Sequence, residues 1–150
     1  MKKIIFLLVF AFLAFAQELK VTSGYFHYDM QKKISLFKGD VKVVKGKDKI
    51  FADEMTVYFN DKKKPVKFIA QGNVRFVIAL DQHSTYKGTA NKLIYQLNNG
   101  NIILLGNAKI VKLETKESIK GDKIILNRIT KNAEVIGGKK PVEIILKVNE

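Results

Sequence analysis

The chain has 150 residues, with 27 Lys and Arg against 14 Asp and Glu, and its formal net charge is +13 at pH 7. It contains no cysteine, so a fold stabilised by disulfides is excluded and its stability must come from apolar burial. In a cytosolic protein this charge would suggest nucleic acid as a partner. In an exported protein it favours an anionic lipid, an anionic glycan or an acidic partner.

The N-terminus has the composition of a secretory signal peptide. A short basic region precedes an unbroken apolar run of twelve residues, 4–15, and Ala14 and Ala16 place small residues where a signal peptidase cleaves. A helix needs about 20 residues to span a bilayer, so this run is too short to do so. We expect a signal peptide at 1–16, export, and a single domain at 17–150. The alternative is that the segment stays uncleaved as an anchor.

Four copies of one unit follow, each reaching a glycine 16 to 20 residues after a small opening residue. The opening residues are Ser23, Ala52, Ala90 and Gly121, and the glycines are Gly39, Gly72, Gly106 and Gly137. In three copies the glycine is followed by Asp or Asn, an apolar residue and a basic residue, as in residues 72–75. The fourth copy, residues 137–141, departs from this pattern, as terminal repeats often do.

Apolar and polar residues alternate within each copy, a period that is typical of strands with one buried face. The apolar positions align in three columns: Phe26, Met55, Leu93 and Ile124; Tyr28, Val57, Tyr95 and Leu126; and Met30, Phe59, Leu97 and Arg128. Turn sequences lie at 31–33, 61–65, 98–100 and 130–132. Because these turns are too short for crossovers, the sequence predicts an all-β, antiparallel sandwich or jelly roll. Strands of five to eight residues should bend or break at the small-residue and glycine positions.

A stack of repeats, unlike a closed barrel, leaves an edge strand at each end. We expect these edges near 19–28 and 142–148, with the last strand running over 141–148. The edge residues are Val21, Tyr25, Val142, Ile144, Ile145 and Leu146. An exposed apolar edge favours docking of another β-edge, and the alternative is a final strand covered by neighbouring loops.

Few residues could carry catalysis. Asp81, His83 and Ser84 are the residue types of a hydrolase triad, but they are neighbours in one turn, which favours a polar hairpin loop. His27 and His83 are the only histidines, and Gly39-Asp40 does not match a phosphate-binding loop. We therefore predict no enzyme, no cofactor and no metal site.

The basic residues near the glycines and the aligned aromatic residues each have two interpretations. The basic residues either lie solvated on the outer face or form a cationic rim beside an apolar groove, which would suit anionic headgroups. They are Lys42, Lys45, Lys47, Lys49, Arg75, Lys109 and Lys112. The aromatic residues form either a dry core or a groove for acyl chains, and periodicity does not distinguish these.

The repeated segments resemble OstA-like repeats. The resemblance lies in Ala52-Asp53-Glu54-Met55-Thr56-Val57-Tyr58, in Ala90-Asn91-Lys92-Leu93-Ile94-Tyr95 and in Gly72-Asn73-Val74, and it extends over about 21–146. OstA-like repeats belong to the family of LptA, periplasmic proteins of lipopolysaccharide transport. The resemblance implies a V-shaped antiparallel β-jelly roll, open at both ends, that carries lipopolysaccharide in the periplasm. It also implies a head-to-tail homo-oligomer between an inner-membrane Lpt anchor protein and an outer-membrane translocon, with no nucleic acid partner.

Carried over by position, the resemblance implies a lipid-binding groove formed by Phe26, Tyr28, Met55, Val57, Phe59, Leu93, Tyr95, Leu97, Ile124 and Leu126. A second tier of groove residues is Phe37, Val41, Val43, Val74 and Phe76. The alternative function is a structural periplasmic or cell-surface β-scaffold that binds acidic polysaccharide.

Overall fold

The computed structural model describes residues 18–148, so the predicted signal peptide and its possible role as an anchor lie outside the described residues. Every regular element in this range is a strand. The strands are β1 (Leu19–Thr22), β2 (Tyr25–Asp29), β3 (Ile34–Lys45), β4 (Asp48–Phe59), β5 (Pro65–Asp81), β6 (Ser84–Gln96), β7 (Asn101–Lys112), β8 (Ser118–Asn127), β9 (Ala133–Ile136) and β10 (Glu143–Ile145). Between residues 18 and 148, no helix has the length and hydropathy needed to cross a bilayer.

The strands form one antiparallel sheet in chain order. β1 and β2 pair with opposite halves of β3, and β9 and β10 pair with opposite halves of β8. β1 and β2 together therefore take the place of one long strand that is interrupted once, and so do β9 and β10. The result is an antiparallel meander, which confirms the predicted all-β fold. The four predicted turns lie between strands, but the turns after β3, at 46–47, and after β7, at 113–115, were not predicted.

The long strands bend near their middles, and the bends fold the sheet into two facing layers. The register shifts at each bend, for example between Lys38 and Val41 and between Gln71 and Val74. We call layer 1 the half that holds 34–38, 54–59, 65–71, 92–96, 101–105 and 123–127, together with β2 and β9. Layer 2 is the other half, together with β1 and β10. The strands run through the bends, so the predicted lengths of five to eight residues describe half-strands.

The bend explains the repeated sequence motif. Gly72 and Asn73 both have left-handed backbone, with φ of 83° and 50°. A Cβ atom at Gly72 would lie 2.5 Å from Asp53 Oδ2, and Asn73 Nδ2 donates a hydrogen bond to that oxygen at 2.9 Å. Two successive left-handed residues form a bulge that turns the strand. The small-residue–Asx pair of one strand thus packs against the glycine of the next.

The fourth copy corrects the predicted alignment by one residue. A Cβ atom at Gly138, rather than at Gly137, would meet Asp122 Oδ2, at 2.8 Å. The chain then forms a loop from Gly137 to Val142 before β10 begins, instead of a bulge within a continuous strand. Within residues 18–148 no strand follows β10, so β9 and β10 need to keep register with β8 alone and the loop between them can hold extra residues.

One cluster of buried apolar side chains fills the space between the layers. Layer 1 contributes Met55, Val57, Phe68, Ala70, Leu93, Tyr95, Ile102, Leu104, Ile124 and Leu126. Layer 2 contributes Val41, Val43, Ile50, Ala52, Val74, Phe76, Ile78, Ala90, Ala108 and Ile110. This alternation places every second residue of the central strands in the core.

Candidate functional site

The structure places all the predicted groove residues on the inward side of the two layers, at different depths. Six of the first set are buried in layer 1: Met55, Val57, Leu93, Tyr95, Ile124 and Leu126. Phe59 and Leu97 are partly buried at the rim of the same layer. Of the second tier, Phe37 is partly buried, whereas Val41, Val43, Val74 and Phe76 are buried in layer 2. The centre of the interior is therefore filled by its own side chains.

The N-terminal edge exposes the same inward face to solvent. Phe26 and Tyr28 lie opposite Phe37 and Ser35 on β3, yet they are 56% and 40% exposed. The ring of Phe26 lies 5.0 Å from that of Phe37, and Tyr28 meets Phe59 edge-on at 6.1 Å. Aromatic surface thus continues from the buried interior to the open edge.

The C-terminal edge is aliphatic and is divided between two short strands. Ile144 lies opposite Ile119 on the inward side, but it is half exposed, and Ile145 and Leu146 are also exposed. The predicted strand over 141–148 is wrong in extent, because β10 has three residues, and β9 forms the layer 1 part of this edge. Apolar and polar residues alternate around Val135, and this pattern could have predicted β9. Of the two short strands that pair with β8, β9 alone completes layer 1.

The other predicted edge residues also lie on free edges. Val21 is on β1 and is partly buried, and Tyr25 opens β2 and is exposed. Val142 immediately precedes β10 and is partly buried. In residues 18–148 each of the two outermost long strands has a sheet partner on one side.

Arg128 ties the rims of the layers together on the side away from the bends. Its guanidinium donates hydrogen bonds to Asp48, to the hydroxyl of Tyr95 and, at 3.0 Å, to the carbonyl oxygen of Ala79. Asp48, whose side chain is 6% exposed, also accepts a 3.0 Å bond from the Ala79 backbone N–H. Tyr95 belongs to layer 1 and Arg128 directly follows the layer 1 part of β8, whereas Asp48 and Ala79 belong to layer 2. We call this group the rim clasp.

A second, exposed ion pair lies beside the clasp. Lys131 Nζ is 3.2 Å from Asp81 Oδ2, and it joins the turn after β8 to the end of β5. Asp81 also accepts a 2.8 Å bond from the His83 backbone N–H. The Asp81–Ser84 segment is thus the polar hairpin turn that the sequence favours. Within residues 18–148, no three His, Asp or Glu side chains form a group that could hold a metal ion.

Burial and neighbouring charges around the clasp shift the pKa values of Tyr95, Arg128 and Lys45. Burial raises the pKa of Tyr95, which the charge and hydrogen bond of Arg128 partly offset. Burial would lower the pKa of Arg128, but its interactions with Tyr95 and Asp48 outweigh burial and raise it. Lys45 lies 5.8 Å from the Tyr95 ring centroid, and burial and then the charge of Arg128 lower its pKa. The interior therefore has a charged, hydrogen-bonded rim.

Sequence reasoning missed the clasp. The signal was present, because Arg128 is the one charged residue in a column that otherwise holds Met30, Phe59 and Leu97. A charged residue at an inward position needs a partner. The partner, Asp48, is 80 residues away, and its inward position follows only from the register of β3 and β4.

Comparison with known proteins decides the family. The family model of LptA/(LptD N-terminal domain) LPS transport proteins matches residues 20–132. The chain belongs to this family. Its fold is also that of LptH from Pseudomonas aeruginosa, the LptA homologous periplasmic component of a lipopolysaccharide transport device. The TM-score is 0.78 at 14% identity, over 88% of this chain and 96% of that chain, so this likeness shows the fold alone. No curated protein sequence matches the chain.

The match confirms the resemblance to the LptA family and the antiparallel jelly-roll-like fold. The family is one of transport proteins, in agreement with the absence of a catalytic motif in the sequence. The comparisons do not assign the residues that contact lipid or the edges that meet partners.

Proposed function

We propose that this protein carries lipopolysaccharide through the periplasm with the acyl chains held between its two layers. One observation carries the proposal: inward apolar side chains run without interruption from the buried centre to the exposed edges. Phe26 at the edge is joined to Leu93 in the centre by one cross-strand row, through Phe37, Met55 and Ala70, whose members are all apolar. Membership in the lipopolysaccharide transport family supports this use of the interior.

Because the centre is filled by side chains, acyl chains enter it only when the layers separate. The layers are continuous through the bends, and the opposite rims are joined by side-chain contacts of Arg128 and Lys131. Such contacts break and re-form more readily than a backbone ladder. The rim clasp is therefore the side that opens, while the bends serve as the hinge. Lipid passes along the interior towards lower free energy, and other components of the pathway supply the energy that maintains this gradient.

The two free edges would join successive carriers. An incoming strand can pair with the β1–β2 edge or with the β9–β10 edge, where main-chain hydrogen bonds supply affinity and side chains supply selectivity. We propose head-to-tail self-association, with an inner-membrane anchor protein at one end of the series and an outer-membrane translocon at the other.

The edge proposal is tested with Ile145→Pro, which removes a backbone N–H from the short edge strand β10. Ile145→Thr is the matched control, because it keeps that N–H and suits a strand. We expect the proline variant to lose self-association in sedimentation experiments and the threonine variant to keep it. Self-association that survives in the proline variant would exclude this edge.

Lipid contact at the edge is tested with a photo-crosslinking residue at Tyr28 and a control at His27. These neighbours are both exposed, but Tyr28 faces inward and His27 faces outward, opposite Leu36. After irradiation of cells, we expect a lipopolysaccharide adduct at Tyr28 and none at His27. Equal labelling at both positions would exclude a lipid path on the inward face.

A further inference from the structure

The outer faces of the two layers differ in charge. One cross-strand row of layer 2 runs from Lys42 through Phe51, Arg75, Thr89 and Lys109 to Lys120. The neighbouring row runs from Lys20 through Val44, Lys49, Val77 and Lys87 to Val111. We call the basic residues of these rows the basic face: Lys20, Lys42, Lys49, Arg75, Lys87, Lys109 and Lys120.

The basic face holds seven cations, and Glu143 on β10 lies directly opposite one of them, Lys120, at the end of the first row. All seven side chains are exposed. None of the seven takes part in the ion pairs Lys33–Asp61, Asp48–Arg128 and Asp81–Lys131. Lys109 and Lys120 lie directly opposite each other on β7 and β8. Like charges in this position repel and lower stability, and a bound anionic partner relieves that repulsion.

Apolar side chains are interleaved with the cations. Val44, Val77 and Val111 alternate with lysines along the second row and are partly exposed. Lys42 and Arg75 lie 5.8 and 5.3 Å from the centroid of the Phe51 ring between them. A surface that offers cations and short apolar side chains together suits a headgroup region, where phosphates lie above the acyl esters.

Layer 1 provides the contrast. Its outer face has a full row without a cation: Leu36, Thr56, Ile69, Ile94, Ile103 and Ile125. Lys38, Lys92 and Lys123 of the layer 1 outer face lie in a neighbouring row that also holds Glu54, whereas both rows described for layer 2 hold at least three cations each. Adjacent strands lie about 4.8 Å apart, so the rows extend roughly 25 Å, enough to meet several lipid headgroups.

We infer that the basic face of layer 2 docks on a membrane surface that contains anionic phospholipid. This inference concerns an outer face and does not depend on lipid between the layers. Docking would hold layer 2 against the membrane and leave layer 1, the rim clasp side and both edges accessible. Headgroup phosphates would contact the lysines and Arg75, and salt would weaken the contact by screening.

The test is co-sedimentation of the full chain with vesicles of phosphatidylcholine alone or with one third phosphatidylglycerol. The variant Lys87→Gln/Lys120→Gln removes two charges of the basic face, on β6 and β8. The control Lys92→Gln/Lys123→Gln removes two charges from the same strands on the outer face of layer 1. Any contribution of the apolar segment 4–15 is common to all these proteins and cancels in the comparison.

We expect wild type and control to bind the anionic vesicles, and the basic-face variant to bind roughly 30-fold more weakly at low salt. Wild-type binding should fall steeply as salt rises. Equal losses in the two variants would overturn the inference, because net charge alone would then explain binding. Equal wild-type binding to neutral and anionic vesicles would also overturn it.

Binding of a soluble acidic polysaccharide tests the alternative partner. If polygalacturonate binds the basic face and the anionic vesicles do not, the partner is a polysaccharide and the membrane inference fails. The Tyr28 crosslink serves as an independent readout. We expect the basic-face variant to keep its lipopolysaccharide adduct there, so failure of docking and failure of lipid carriage are distinguished.

Discussion

The centre and the edge of this sheet use the same sequence pattern with different results. Tyr28 and Tyr95 are the same residue type in the same column of the repeat, but Tyr28 is 40% exposed and Tyr95 is 2% exposed. Tyr95 has paired strands on both sides, whereas Tyr28 lies on β2, which pairs with β3 alone. Position in the stack of repeats therefore decides whether an inward aromatic side chain belongs to a core or to an open edge.

The largest difference between the centre and the edge is expected when two side chains of the same column, one in each place, are shortened to alanine. Leu93→Ala creates a cavity in the centre and should lower the free energy of unfolding by about 3–4 kcal/mol. Phe26→Ala, in the same column, removes a ring that is mostly exposed, and should lower it by about 1 kcal/mol or less. Urea denaturation measures both values. Similar losses at the two positions would mean that the edge is packed as tightly as the centre.

The bends allow a finer comparison. Gly39 and Gly72 have the same left-handed backbone, with φ of 84° and 83°. A Cβ atom at Gly72 would meet Asp53 at 2.5 Å, whereas at Gly39 the nearest atom is 3.7 Å away, on Gly24. Gly39→Ala should therefore lower the free energy of unfolding by about 1 kcal/mol, from backbone strain alone. Gly72→Ala should lower it by about 2–3 kcal/mol, because the contact with Asp53 adds to that strain.

Thermal or urea unfolding of the two variants measures this difference. Equal losses would show that Asp53 moves aside at no cost. In that case the small-residue–Asx motif would not be needed for packing at the central bends.

The rim clasp should contribute less than the core. Arg128→Met leaves Asp48 without its guanidinium partner, and should lower the free energy of unfolding by about 2 kcal/mol. A second substitution, Asp48→Asn, should restore part of this loss, because the uncompensated charge is then removed. A double-mutant cycle measured by urea denaturation checks the coupling. Additive effects of the two substitutions would show that the clasp does not hold the rims.

The smallest effect is expected in a turn, where charge and not burial supplies the stabilisation. Glu114 accepts bonds of 3.0 and 3.1 Å from the Thr85 backbone N–H, and this hydrogen bond lowers the pKa of Glu114 below its ordinary 4.5. The stabilisation is present above pH 4.5 and is lost as the pH falls through the lowered pKa. Glu114→Gln should therefore lower the Tm slightly at pH 7 and very little at pH 3. A Tm difference between wild type and variant that does not change with pH would contradict this assignment.

The period-two columns and the glycine motifs were enough to predict an antiparallel sheet with bends, because both are local features. The burial of each side chain was not predictable. Tyr28 and Tyr95 occupy the same position in the repeat, and only the place of their strands in the sheet distinguishes them. The contact between Arg128 and Asp48 was also out of reach, since it needs the fold to bring distant rims together. The loop from Gly137 to Val142 could not be predicted from the pattern that it interrupts.

The most direct test of lipid carriage is a photo-crosslinking residue at Tyr95, in the centre of the interior, with a control at Lys92. Lys92 lies on the same strand, on the outer face of layer 1. We predict that lipopolysaccharide is attached at Tyr95 and not at Lys92 after irradiation of cells in which the protein is folded. A lipopolysaccharide adduct at Tyr28 with none at Tyr95 would contradict the account, because the lipid would then touch the edge without passing between the layers.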